Sequence, residues 1–363
     1  MLKNLKVHLV LHPENQGWVI EKIARRLLEH LSHSGVEATI SDQARGDVDL
    51  NHWMSYAFAN EPQPVRATMF ITHIDDPHKV ALVRQELASG IDAGICMSSH
   101  QVEFLVGQGL RRESLCHVLP AHDNRLQPRR IRIGIATRLY PDGRKREDLL
   151  VKLAETLSLD AFEFEIHGAG WEPLVPVLKA AGAVVNHFPG SPDYERDYEL
   201  LIERMPHFDF YLYLGMDEGS LGTLDAVTAA VPTIVTAQGF HLDLGAGLDH
   251  TFTEFPELLA IFRSLAERRA GRLAVAASLV WPQFAARHAR IWRAIVSRVP
   301  LAEALDAHEV QAGLHRPTLA ETWRFRARGL QPRRMLSALA RMRVLKPLRN
   351  LLRPANDDDR SAK

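Results

Sequence analysis

Short apolar runs alternate with amphipathic stretches along most of the chain. Lys6-Val-His-Leu-Val-Leu11 has the length of a buried strand, and a polar turn containing Gly17 follows it. Trp18, Ile20, Ile23, Ala24, Leu27, Leu28 and Leu31 then recur at helical spacing, and Gly35 stands where a helix C-terminal glycine belongs. Val36–Ile40, Thr68–Thr72, Ala93–Met97 and Cys116–Leu119 read as further strands, the last two each preceded by a helical stretch. Strands alternating with helices predict a parallel sheet covered on both faces.

The pattern restarts after the turn-rich stretch Pro120–Pro128. Ile131–Ala136 is again a first strand, and Glu147–Leu157 is a helix. Glu163–Ile166, Ala183–Val185, Phe210–Leu214 and Thr233–Val235 continue the series. The expected organisation is therefore two α/β domains in tandem, residues 1–124 and 125–280, facing a cleft. Residues 281–299 form a separate amphipathic helix, and residues 300–363 form a basic helical tail with a disordered end. In open parallel sheets, ligands bind beyond the carboxyl ends of the strands.

Composition narrows the classes. With 363 residues and 46% apolar content, the chain can bury ordinary cores in about two domains. Its 44 basic and 44 acidic residues cancel, which excludes a uniformly basic nucleic-acid coat. The charge is nonetheless segregated: Arg316–Arg353 holds 11 Lys/Arg and one acidic residue, Glu321. Met335, Leu339, Met342 and Leu345 form an apolar stripe within it. Such a segment suits an anionic membrane surface, at roughly 1 kcal/mol per basic residue. A solvated helix packed on the first domain, or a contact with an acidic protein, explains it about equally well, whereas nucleic acid leaves the stripe without a role. Cys96 and Cys116 are too few for a disulfide framework or a four-thiolate zinc site. Neither a signal peptide nor an apolar run of membrane-spanning length is visible, so the expected location is cytoplasmic.

Two stretches carry candidate chemistry. Thr137–Asp148 leads from a strand through a Gly-containing loop into a helix, a good cradle for phosphate. Arg138, Arg144 and Lys145 would neutralise a diphosphate there and stabilise it as a leaving group. A solvated basic loop is the competing explanation, since cations are disfavoured at a helix N-terminus. Asp217–Ala226 lies between a strand and a helix, and Glu218 and Asp225 could accept hydrogen bonds from sugar or ribose hydroxyls. On spacing alone, plain helix capping explains that acidic stretch better.

In order and spacing, Ile131–Asp243 resembles the donor-binding domain of GT-B glycosyltransferases of the family 4 type. The family's "GRL…KG…LL" run is matched by Thr137-Arg138-Leu139, Lys145-Arg146 and Leu149-Leu150. Its "G-x-G" is matched by Gly168-Ala-Gly170. Its "EGFG…LEA" is matched by Glu218-Gly219-Ser220-Leu-Gly and Leu224-Asp225-Ala226. The family's two acids stand eight positions apart, as Asp217 and Asp225 do, but Glu218 is the favoured partner because Gly219 follows it as in the family. The first domain matches more loosely, with Gly17 in place of a glycine-rich loop and His73 after a strand. From spacing alone, His73 reads better as a locally satisfied loop histidine.

The resemblance implies a nucleotide-diphosphate sugar as donor, a glycan or lipid-linked acceptor, retention of configuration, and no bound metal or permanent cofactor. It gives Arg138, Arg144 and Lys145 to the diphosphate, and Glu218 and His73 to the donor sugar. Asp225 falls to the ribose, and Gly17, Gly168, Gly170, Gly219 and Ser220 to the donor loops. Bacterial surface polysaccharide synthesis is the expected setting. A nucleotide-sugar epimerase of the same fold and a non-catalytic sugar-nucleotide-binding protein are the alternatives. Asp75-Asp76 is similar to the acidic motif of metal-dependent glycosyltransferases, whose fold does not suit two tandem domains. Gly239–Asp243 reads equally as a plain loop or as a donor contact through His241 and Asp243.

Overall fold

The computed structural model describes residues 4–59 and 62–305, so the basic segment Arg316–Arg353 and the chain end lie outside the described residues. The chain divides into two compact units, one comprising the residues up to Asn124 and from Ser278 onward, the other Arg125–Ala277.

The first unit contains β1 (Leu5–Val10), α1 (Val19–Leu31), β2 (Val36–Ser41), β3 (Leu50–Trp53), β4 (Arg66–Ile71), α2 (Pro77–Ala88), β5 (Ala93–Cys96), α3 (Ser99–Gly107) and β6 (Leu115–His117). Its six strands are parallel, in the order β2-β1-β3-β4-β5-β6. Helix α1 buries Ile23, Ala24, Leu27 and Leu31, the stripe that its sequence spacing predicts. Strand β3 has no such signature. Its Leu-Asn-His-Trp segment is fully buried, and Asn51 and the Nδ1 side of His52 find partners sideways. Asn51 exchanges two hydrogen bonds with the Arg45 backbone, and His52 Nδ1 lies 2.8 Å from Thr68 Oγ1.

The second unit contains β7 (Ile131–Ala136), α4 (Asp148–Thr156), β8 (Phe162–His167), α5 (Leu174–Ala180), β9 (Val184–Phe188), α6 (Tyr194–Arg204), β10 (Phe210–Tyr213), α7 (Leu221–Thr228), β11 (Thr233–Thr236) and β12 (His250–Phe252). Its sheet is again six-stranded and parallel, in the order β12-β11-β10-β7-β8-β9. From β7 the chain winds outward to β9, then returns to build β10, β11 and β12 on the other side. The order therefore reverses between β7 and β10, the position where the loops beyond the carboxyl ends part and leave a crevice. Glu165 on β8 is wholly buried, and Arg204 of α6 grips it with two hydrogen bonds of 2.7 and 2.6 Å. Burial pushes this carboxyl up, but Arg204 and His167 prevail and hold it at about 2.

A long helix, α8 (Phe255–Ser278), leads out of the second unit, and α9 (Trp281–Ser297) follows. Trp281, Phe284, Ala285, Ala289, Ile291 and Trp292 of α9 join the core under α1 and β1. Where the chain leaves and re-enters the first unit, Asp123 fastens both passes to α1. It accepts from Trp281 Nε1 at 2.8 Å and pairs with Lys22 at 2.6 Å. No described helix is long and apolar enough to cross a membrane.

Candidate functional site

The loops after β7, β8 and β10 meet at the carboxyl edge of the second sheet. Backbone bonds join the first two: Thr137 N–H donates to His167 O at 3.0 Å, and Leu139 N–H to Ala169 O at 3.0 Å. Contact this close needs Gly168. Its φ is +139°, and a Cβ there would lie 2.7 Å from the Thr137 carbonyl carbon and closer still to its oxygen. At Gly170, φ is +92°, and a Cβ would lie 2.9 Å from Leu139 Cβ. Trp171 Nε1 donates to Thr137 O at 2.7 Å and closes the junction. The Gly-x-Gly thus shapes the Thr137–Leu139 loop from beneath.

The same loop meets the one after β10. Met216 N–H donates to Arg144 O at 2.7 Å, which ties the loops across the reversal point. Lys145 Nζ donates to Asp217 Oδ2 at 2.6 Å and to the Tyr213 hydroxyl at 2.7 Å. The Tyr213 hydroxyl donates in turn to Asp217 Oδ1, which also receives Gly219 N–H at 3.4 Å. Burial, then Asp217, pushes the Tyr213 phenol up. Burial also pushes the Asp217 carboxyl up, but Lys145 and Tyr213 outweigh it, and the group ends below its ordinary value. Lys145, with a side chain 11% exposed, has two of its three N–H donors committed.

The other candidates stand more openly. Arg138 is exposed and makes no ion pair among the described residues. The Arg144 guanidinium lies 4.1 Å above the Tyr140 ring and 3.6 Å from Asp142. Glu218 is exposed, and its backbone carbonyl accepts from Phe240 N–H at 3.0 Å. Asp225, on the second turn of α7, accepts from the Tyr198 hydroxyl at 3.2 Å. Ser220 precedes α7 but does not cap it; its hydroxyl lies 2.9 Å from that of Tyr211.

His241 takes the capping role. It is buried, and its Nδ1 is 2.9 Å from the Thr236 carbonyl, so Nδ1 carries the proton. Nε2 then accepts from Ser220 N–H at 3.3 Å and from the Thr223 hydroxyl at 2.9 Å. His241 thus holds the first turn of α7, a scaffold role that neither sequence reading of this segment assigns it. Sequence reasoning passes over Tyr213 because an apolar strand of tyrosines reads as core. It leaves Asp217 as the lesser option because the glycine match favours Glu218.

Gly17 and His73 belong to the first unit. Gly17 N–H donates to Glu21 Oε2 at 2.6 Å at the start of α1. His73 follows β4 and is exposed, with Nε2 3.4 Å from Asp75 Oδ2. Asp75 also pairs with Lys79, and Asp76 caps α2 by accepting Lys79 N–H at 3.0 Å. The acidic pair is thus engaged locally. Among the described residues, no group of three or more His, Cys, Asp or Glu side chains gathers as a metal site.

No family model and no curated protein matches the chain. Solved structures do. HepE of Anabaena, in complex with UDP-glucose, is 12% identical, with 82% of this chain and 98% of that chain covered and a TM-score of 0.30. The lipopolysaccharide outer core galactosyltransferase WaaB is 10% identical, with 81% and 99% covered and a TM-score of 0.31. Sucrose-phosphate synthase of Thermosynechococcus elongatus is 11% identical, with 81% and 100% covered and a TM-score of 0.34. Likeness of this strength transfers no residue role and no substrate to this chain.

Proposed function

We propose that this protein is a glycosyltransferase that moves a sugar from a nucleotide-diphosphate sugar to a glycan or lipid-linked acceptor. One observation carries the reading. The segments that resemble the family 4 donor motifs lie on three loops at the carboxyl edge of the second sheet, and two of those loops flank its reversal point. Arg138, Arg144 and the remaining donor of Lys145 supply positive charge for a diphosphate there. Glu218 and Asp225 offer carboxylates to hydroxyl groups of the sugar and ribose. A diphosphate held this way loses its sugar with the developing charge already compensated.

The finer reading is a retaining, metal-independent reaction. The acceptor hydroxyl attacks on the face that the diphosphate leaves, and a diphosphate oxygen takes its proton. We place the enzyme on the cytoplasmic side, in surface polysaccharide synthesis, with Arg316–Arg353 as its contact with anionic lipid.

Thermal shift with UDP, GDP, ADP, TDP and CMP tests the donor site. A nucleotide at 100 times its dissociation constant stabilises the fold by roughly 2.7 kcal/mol. Arg138→Ala removes a charge-assisted contact and is expected to weaken binding of that nucleotide roughly 10- to 100-fold. Glu218→Gln is expected to leave nucleotide affinity within about twofold while sugar transfer falls roughly 100-fold. Unchanged nucleotide affinity in Arg138→Ala would remove the diphosphate from this loop. Sugar-nucleotide conversion that needs no acceptor would make the protein an epimerase instead.

A further inference from the structure

The Lys145 site contains its own anion. Asp217 is fixed on three sides, by the Lys145 ammonium, the Tyr213 hydroxyl and Gly219 N–H. A carboxylate bound this way cannot swing out to meet a sugar, unlike the exposed side chain of the adjacent Glu218. Its negative charge stays beside the cation that a diphosphate would use. Lys145 and Asp217 together present almost no net charge, which leaves Arg138, without an ion pair among the described residues, and Arg144, 3.6 Å from Asp142, as the other cations for a diphosphate.

We propose that Asp217 is an internal counter-anion of the diphosphate site: it shares Lys145 with the bound diphosphate and limits how tightly the nucleoside diphosphate is held. This rests on the donor-site reading above and adds a regulator to it. A site with only Arg138, Arg144 and a free Lys145 would retain its product. Asp217 offers Lys145 an anionic partner as the diphosphate departs, so release does not leave a mostly buried ammonium unpaired. Tyr213 holds both groups in register, donating to one and accepting from the other.

The test is calorimetric titration of UDP, GDP, ADP and TDP into the full chain. Asp217→Asn keeps the shape and removes the charge. It is expected to bind the preferred nucleotide roughly tenfold more tightly than wild type at low salt, with the gain shrinking as salt screens the site. Asp217→Glu restores the charge and should return the affinity towards wild type. Asp217→Ser keeps a small acceptor for Tyr213 without the charge, and it must tighten binding too. It serves as the readout if the asparagine variant does not fold. A purely structural role predicts the opposite sign, with weaker binding in both neutral variants. Equal or weaker binding in the neutral variants, with wild type still binding, overturns the counter-anion and leaves the donor site standing. If neither wild type nor the neutral variants bind any of the four nucleotides, the donor site fails and the proposal fails with it.

Discussion

Replacing Gly168 with alanine is expected to cost the second unit on the order of 4 kcal/mol, an effect reserved for a few named mechanisms. Two of them act together here. At φ +139° an L-residue is strained, which by itself costs about 1–3 kcal/mol. The added methyl would also lie against the Thr137 carbonyl and 3.0 Å from Arg138 N. These are backbone atoms, so no rotamer change relieves the clash. The β7 loop must move, and with it the Trp171–Thr137 hydrogen bond and the placement of Arg138. Gly143 is the internal control, with φ +70° but nothing within 4 Å of the methyl that alanine would add. Gly143→Ala should cost only about 1 kcal/mol, the left-handed backbone penalty alone. Urea unfolding followed by hydrogen exchange of peptides from residues 131–171 separates the two variants. A Gly168→Ala protein within about 1 kcal/mol of wild type would show that the loop junction is not the tight contact described.

The alternation of strands and helices is legible in the sequence because parallel strands buried on both faces are short apolar runs. Ile131–Ala136 is observed with the expected bounds, and α9 begins at Trp281. What escapes has physical causes. Strand β3 hides its polarity in bonds to Arg45 and Thr68, partners that no local pattern reveals. Strand β12 has only three residues, His-Thr-Phe, too few for a period. The Gly-x-Gly is legible as a motif, but its observed work is close approach between two loops. The Arg138–Lys145 and Glu218–Asp225 stretches can be picked out as chemical. The Lys145–Asp217–Tyr213 cluster cannot, because its members lie on two loops and the end of β10, brought together by the strand order.

Acid should loosen the first unit well before its carboxylates protonate. His52 and His288 are fully buried side by side, ring centres 5.6 Å apart, each about as far from Trp292. His288 Nδ1 is bonded to the Phe284 carbonyl at 2.9 Å, and its Nε2 has no hydrogen-bond partner among the described residues. Burial holds His288 down at about 4 and His52 well below its ordinary value, with His288 as a further depressing neighbour. The unfolded chain takes up a proton at His288 near 6.5, whereas the folded chain refuses it until about 4, and His52 is shifted in the same direction. Stability is therefore complete above pH 6.5 and falls as pH drops through that window. The slope is about 1.4 kcal/mol per pH unit for each histidine. His288 alone accounts for roughly 3 kcal/mol by pH 4. Glu165 and Asp123, both held at about 2, act only at lower pH, so the early loss belongs to histidines. His8, also buried, is depressed in the same direction, partly offset by its hydrogen bond with the Gln43 backbone. His288→Leu removes the titrating group from α9 while keeping an apolar side chain against Phe284 and Trp292. Unfolding free energy measured from pH 7.5 to 5.0 should then fall less steeply, by about 1.4 kcal/mol per pH unit below 6.5. An unchanged slope in that variant would mean that the histidine pair reaches water and that α9 is not sealed against the sheet.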